Sequence, residues 1–193
     1  MTTPLVNPGR SQTDQPIRLN IGCGGYPLDR AHWTNIDSSP ESAADVYADV
    51  PPIPYADGCV TEVWACHYLE HLSFEAGAEF LRECYRVLVP GGQLGIVVPD
   101  TREIMRRYIA GEPSPVQIPA NQWWKMNDLD DICSVFLFST IQPSCHLWAY
   151  DEMTLRRAME RAGFRVLKAI DRHYDKRLGM GAWYQCGWQA VKD

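Results

Sequence analysis

An apolar run over residues 17–21 passes directly into a turn with three glycines in four residues, Gly22-Cys23-Gly24-Gly25, and this junction constrains the fold more than any other stretch. Glycines at such a turn let the backbone approach a ligand without interference from a Cβ atom. Open α/β sheets take their ligands at the carboxyl ends of their strands, where this turn would lie. A second apolar run, 33–36, ends at Asp37, about a dozen residues after Gly24, so any helix between them is short or partly irregular. A carboxylate at that position can accept hydrogen bonds from both hydroxyls of a ribose. Asp49, after Tyr47-Ala48, stands where an adenine-side contact is expected. Either aspartate taken singly reads equally well as a turn residue or a cap.

The rest of the chain continues the alternation of strand and helix. Residues 60–66 read as a third strand, and 75–88 as a helix with Phe80, Leu81, Cys84, Val87 and Leu88 at helical spacing. Val89-Pro90-Gly91-Gly92 ends that helix and turns the chain into a buried strand over 94–98, with Asp100 at its carboxyl end. Asp151 reads as the N-cap of a second amphipathic helix that stops at Gly163. Two final strands, 165–170 and 184–191, are joined by too few residues for a helical crossover, which predicts an antiparallel hairpin. The expected fold class is α/β: a Rossmann-like, seven-stranded, mostly parallel sheet with a C-terminal antiparallel hairpin and helices on both faces. Residues 1–15 read as a flexible leader and 16–193 as a single domain. Residues 101–150, which carry Trp123, Trp124 and Trp148, read as an insertion covering the substrate.

The five elements resemble, in order, the class I S-adenosylmethionine-dependent methyltransferases of the small-molecule type. They are LNIGCGG (19–25), NID (35–37), YADVPPIPYADG (47–58), VWACHYLEHL (63–72) and YRVLVPGGQLGIVVPD (85–100). Beyond Asp100 the likeness is looser and rests on HLWAYD (146–151), AGF (162–164) and the terminal hairpin. The resemblance implies S-adenosylmethionine as cofactor. Gly22 and Gly24 would meet its methionine portion, Asp37 its ribose, Asp49 and Val50 its adenine, and Cys66 with His67 its sulfonium end. Asn20, Cys23 and Ser38 complete the implied cofactor-binding set. The sequence departs from the family where Asn20 replaces a common acidic residue and Tyr26 a frequent third glycine. Pro27 breaks the G-x-G-x-x-G pattern and Asp37 comes too early for a dinucleotide fold, which disfavours nicotinamide.

Methyl transfer to a hydroxyl needs alignment and a base. His67 and His71, four apart, would share a helix face, and His67 is the first candidate for the base; His71 alternatively satisfies backbone groups. Asp100 would orient a histidine or hold the acceptor, or else cap a helix, and His146 with Trp148 would fold back over the acceptor or pack. Arg102 and Arg106 would hold an anionic group or meet solvent, and Trp123 and Trp124 would stack on a sugar or aromatic ring or join the core. No residue is assigned to a metal: a metal-assisted variant would draw on His67, His71, Asp100 and His146, but no tight ligand spacing marks it.

Eighteen basic against 24 acidic side chains give a net charge of −6, so nucleic acid is not expected as a partner. The seven cysteines form no C-x-x-C pair and read as reduced packing residues. No apolar run approaches the roughly 20 residues of a membrane span. The expectation is a cytoplasmic enzyme that methylates a hydroxyl of a sugar or natural product, with a homodimer left open. The alternatives are a noncatalytic scaffold of the same fold, which Asn20 and Tyr26 motivate, and other sulfonium chemistry.

Overall fold

The computed structural model describes residues 15–112, 146–171 and 184–193. Seven strands form one sheet: β1 (Arg18–Ile21), β2 (Thr34–Asp37), β3 (Val46–Tyr47), β4 (Val60–Cys66), β5 (Leu88–Pro99), β6 (Arg165–Ala169) and β7 (Gln185–Val191). Their order is β3-β2-β1-β4-β5-β7-β6. Pairing is parallel from β3 to β5, and β7 runs antiparallel to both β5 and β6. The expected hairpin is therefore present, with its second strand inserted beside β5 and its first at the sheet edge. β1 lies between β2 and β4, so the chain steps outward on one side of β1 and returns on the other. That reversal is the topological switch point, where open α/β sheets bind ligands.

Alternation along the strands sorts the core into two faces. Leu19, Ile21, Ile36, Val63, Ala65, Leu94, Ile96 and Val98 pack in one cluster with residues from two helices, α1 (Phe74–Val87) and α3 (Glu152–Arg161). α1 contributes Phe80, Leu81, Cys84 and Val87, the stripe its sequence spacing predicts, and α3 contributes Leu155 and Met159. On the opposite face Trp64, Cys66, Val97 and Ile170 cluster with Leu28 and Trp33. Leu28 and Trp33 come from the β1–β2 connection, which contains no helix. Twelve residues suffice here because turns, rather than a crossover helix, return the chain to β2.

The start of β5 differs from the sequence reading. β5 begins at Leu88, not Leu94, because Leu88 pairs with Val60 before an irregularity, and Gly91 and Gly92 exchange backbone hydrogen bonds with Lys192. Pro90 and the glycines thus shape a bend inside an extended segment. Lys192 Nζ also donates to the carbonyls of Tyr85 and Leu88 at 2.7 Å each, satisfying the C-terminal end of α1. At the other end, Ser73 Oγ accepts from Ala76 N at 3.2 Å. Ser73→Ala is expected to lower unfolding free energy by about 1 kcal/mol, measurable as a shifted denaturant midpoint with an unchanged slope.

α2 (Thr101–Ala110) follows β5 immediately, and Asp151 heads α3 with the expected cap, completed as a capping box by Thr154. The leader, apart from Gln15, and residues 113–145 of the insertion lie outside the described residues. No helix among the described residues is long and apolar enough to cross a membrane.

Candidate active site

The glycine turn owes its shape to the strand beside it. Gly22 N and Cys23 N both donate to Ile36 O, at 2.8 and 3.3 Å, and both Gly22 (φ +69°) and Gly24 (φ +51°) occupy the left-handed region. A Cβ at Gly22 would overlap the Tyr68 ring, so glycine is required there for space as well as for backbone angle. Tyr68 in turn donates its hydroxyl to Val50 O at 2.5 Å, tying the turn after β4 to the segment after β3.

Asp37 closes β2 with its carboxylate in two backbone contacts: Oδ2 accepts from Gly24 N at 2.8 Å and Oδ1 from Ser39 N at 2.9 Å. Asp37, Gly22, Gly24 and Cys23 therefore stand together at the carboxyl ends of β1 and β2, with Ser38 exposed beside them. Burial, reinforced by the charges of Asp37 and Asp45, pushes the Cys23 thiol up to about 11, which makes it a neutral packing group at pH 7. Asp49 is exposed and Val50 buried on the following segment.

Asn20 is placed differently from the rest of its set. It is buried and donates from Nδ2 to Asn35 Oδ1 at 2.9 Å, and Asn35 in turn bonds Asp45 and both backbone groups of Leu28. Its amide is committed to bracing β1, β2 and their connection. The paired register Asn20↔Asn35 explains this, and alternation along each strand is the only sequence signal that could have found it.

His67 and His71 do not share a helix face. His67 sits at φ +54°, outside any helix, and only Leu69–His71 form a 3-10 turn. The left-handed residue breaks the helical register, so the two imidazoles flank Glu70 instead of stacking. His67 N donates to Val97 O at 2.9 Å, anchoring the turn at the end of β4. Its ring nitrogens are both engaged: Nδ1 lies 3.1 Å from Glu70 Oε1 and Nε2 lies 3.0 Å from Gln185 Oε1. The Tyr184 ring is 6.0 Å away. A non-glycine residue held at positive φ with both nitrogens in contact is the kind of strained position found at functional sites.

Glu70 is fully buried, which opposes ionisation, but the hydrogen bond from His67 and the neighbouring His67, His71 and His146 outweigh that and hold its carboxyl below the usual range. On the surface, Arg106, opposed by partial burial and joined by Arg107, lowers Glu103 to about 2. Both groups have a folded value below the unfolded one of about 4.5. Their contribution is thus complete above about pH 5 and is lost as pH falls through the folded values. The thermal midpoint should hold between pH 7 and 5 and fall steadily toward pH 2; a flat profile to pH 2.5 would contradict this assignment.

The remaining predicted residues separate. Asp100 caps α2 by accepting from Glu103 N at 3.3 Å, as its alternative reading held. Arg102 pairs with Asp151 at 3.1 Å, and Arg106 with Glu103 and Glu112, so neither guanidinium faces an acceptor pocket unpaired. Trp148 lies against Phe74 (centroids 5.0 Å apart) at a groove of about 290 Å³ between α1 and α3, rimmed by Arg82, Arg157 and Arg161. His146 instead meets His71 edge-on, with ring centroids 4.8 Å apart. Trp123 and Trp124 lie outside the described residues. Glu70 and Gln185 were missed as site residues. An acid inside the apolar sequence Leu69-Glu70-His71-Leu72 was the available signal for Glu70, and nothing marked Gln185 before β7 was seen to lie beside β5.

Strand order, switch point and glycine turn define a Rossmann-like α/β protein of the class that binds its ligand where the strand order reverses. A family model described as "Methyltransferase domain" matches residues 19–96. Over 89 residues the chain is 36% identical to tocopherol O-methyltransferase, chloroplastic, of Arabidopsis thaliana, a stretch that is 46% of this chain and 22% of that relative. In structure it is similar to a SAM-dependent methyltransferase from Methanosarcina mazei (TM-score 0.60, 14% identity, 94% of each chain). It is also similar to geranyl diphosphate C-methyltransferase from Streptomyces coelicolor A3(2) (TM-score 0.59, 14% identity, 93% of this chain and 73% of that one). At such identity these two likenesses speak for the fold. Residues 19–96 thus match a methyltransferase domain, and the chain spans about a fifth of the length of the curated relative it matches.

Proposed function

We propose that this chain transfers the methyl group of S-adenosylmethionine to a hydroxyl of a small-molecule acceptor, a sugar or other natural product, with His67 as the base. The observation that carries this reading is the setting of His67 at the end of β4, beside the switch point, with Nδ1 on the buried carboxylate of Glu70. Glu70 fixes the ring and the tautomer in which Nδ1 carries the proton, leaving Nε2 to accept one. In that tautomer the Gln185 side chain, whose Oε1 lies 3.0 Å from Nε2, must turn its amide nitrogen toward the ring to donate, and an acceptor hydroxyl can take the place of that donor.

The glycine turn would admit the methionine portion of the cofactor and Asp37 its ribose hydroxyls, with Val50 against the adenine. The cofactor supplies an electrophilic methyl carbon on a positively charged sulfur. His67 Nε2 would take the hydroxyl proton as the acceptor oxygen displaced sulfur from that carbon, with S-adenosylhomocysteine as the leaving group. Because an in-line displacement depends chiefly on alignment, the protein's main contribution is holding the two reactants in register.

The test is calorimetric titration with S-adenosylmethionine and S-adenosylhomocysteine, followed by mass analysis of a panel of hydroxylated acceptors. Micromolar binding and a product heavier by one methylene are expected. A folded protein that binds neither compound would sink the reading and leave the scaffold alternative; cofactor consumption with another product mass would move it to different sulfonium chemistry.

A further inference from the structure

The Glu70 carboxylate uses one oxygen and strands the other. Oε1 takes the His67 hydrogen bond, whereas Oε2 is buried and has no hydrogen-bond partner among the described residues. A buried carboxylate oxygen without a donor carries an uncompensated desolvation cost, and native proteins rarely leave one so. Beside it stand two imidazoles: His71 from the next position, and His146 from the segment that leads to α3. One donor atom from each of Glu70, His71 and His146 lies within 4.8 Å of the other two. Backbone fixes this meeting, since Leu147 N and Trp148 N both donate to Glu70 O, at 2.8 and 3.2 Å.

We propose that Glu70 Oε2, His71 and His146 form a three-ligand site for a divalent first-row transition cation, adjoining the acceptor end of the active site. One carboxylate and two imidazoles suit manganese, cobalt or zinc better than magnesium or calcium, which prefer oxygen ligands throughout. Donors about 2.1 Å from such an ion lie about 3 Å from one another. The described 4.8 Å span closes by side-chain rotation, because His71 is exposed and His146 only half-buried. The ion would occupy the direction in which Oε2 lacks a partner, with both imidazoles bound as neutral ligands.

Three protein ligands leave open coordination positions. The same carboxylate would then touch the ion through Oε2 and the base through Oε1. An acceptor hydroxyl bound to the ion would lose its proton more readily, and that proton would pass to His67. This catalytic role rests on the methyl-transfer reading, whereas binding of the ion does not.

The experiment is titration of chelator-stripped protein with cobalt(II), followed by its visible absorption, with zinc(II) by calorimetry as a second probe. Wild type should bind one equivalent with a spectrum of nitrogen and oxygen ligands. His71→Ala and His146→Ala, whose side chains are not buried, should keep the wild-type melting temperature and bind cobalt at least about tenfold more weakly. Glu70→Gln, similar in shape, should lose binding further. No stoichiometric binding by wild type, equal binding by both histidine variants, or a thiolate charge-transfer band that places the ion on cysteine would each overturn the site. S-adenosylmethionine titrated in chelator separates the two readings. Cofactor binding without cobalt binding sinks only the cation site, and cobalt binding without cofactor binding sinks only methyl transfer.

Discussion

Asp37→Ala weakens S-adenosylmethionine binding by about a hundredfold or more if this carboxylate takes the ribose hydroxyls. A hydrogen bond to a charged group contributes about 1.5–3 kcal/mol, so losing two corresponds to at least about two powers of ten in affinity. The substitution also removes the acceptor for Gly24 N and Ser39 N, so the glycine turn loses part of what holds it. A modest drop in melting temperature accompanies the loss of binding. Asp37→Asn keeps one acceptor oxygen and should retain more affinity than alanine. Calorimetry on both variants measures the effect; an Asp37→Ala protein that binds like wild type would remove the ribose contact from the proposed site.

For His67 the expected loss falls on turnover. Removing a general base costs about 10²–10⁴ in rate, and His67→Asn should show that loss in kcat while binding S-adenosylmethionine within a few-fold of wild type. Asparagine is the informative replacement because it tolerates the left-handed backbone angle that His67 adopts, whereas alanine does so less well. It also lacks a group that titrates near neutrality. The rise in rate with pH that an imidazole base produces should disappear with it. A variant with unchanged kcat, measured on an acceptor found by mass analysis, would reassign His67 to a structural role at the Glu70 turn.

Local and long-range interactions divide what the chain shows from what its folded structure adds. Hydrophobic period and turn chemistry are local properties, so β4, α1, the Asp151 cap and the terminal hairpin could be read directly from neighbours in sequence. The glycine turn with Asp37 was legible for the same reason: one strand, one turn and one carboxylate within twenty residues determine each other through backbone hydrogen bonds from Gly22, Cys23 and Gly24. The order of five motifs was enough to carry the resemblance to a methyltransferase domain, which residues 19–96 match.

Tertiary structure decided whatever depended on a partner distant in the chain or on one backbone angle. The resemblance places Asn20 in the cofactor set, and the β1–β2 register directs its side-chain amide to Asn35. The His67–His71 helix face failed because a single positive φ at His67 redirects both rings, and no periodicity reports such an angle. Gln185 reaches His67 only because β7 inserts beside β5, and His146 reaches Glu70 and His71 only because two backbone amides dock on one carbonyl. The sequence by itself determined the elements and the glycine turn, since both arise from short-range sterics and hydrogen bonding. The structure alone determined which side chains surround Glu70, since that follows from packing between segments whose separation in the chain carries no information about their contact.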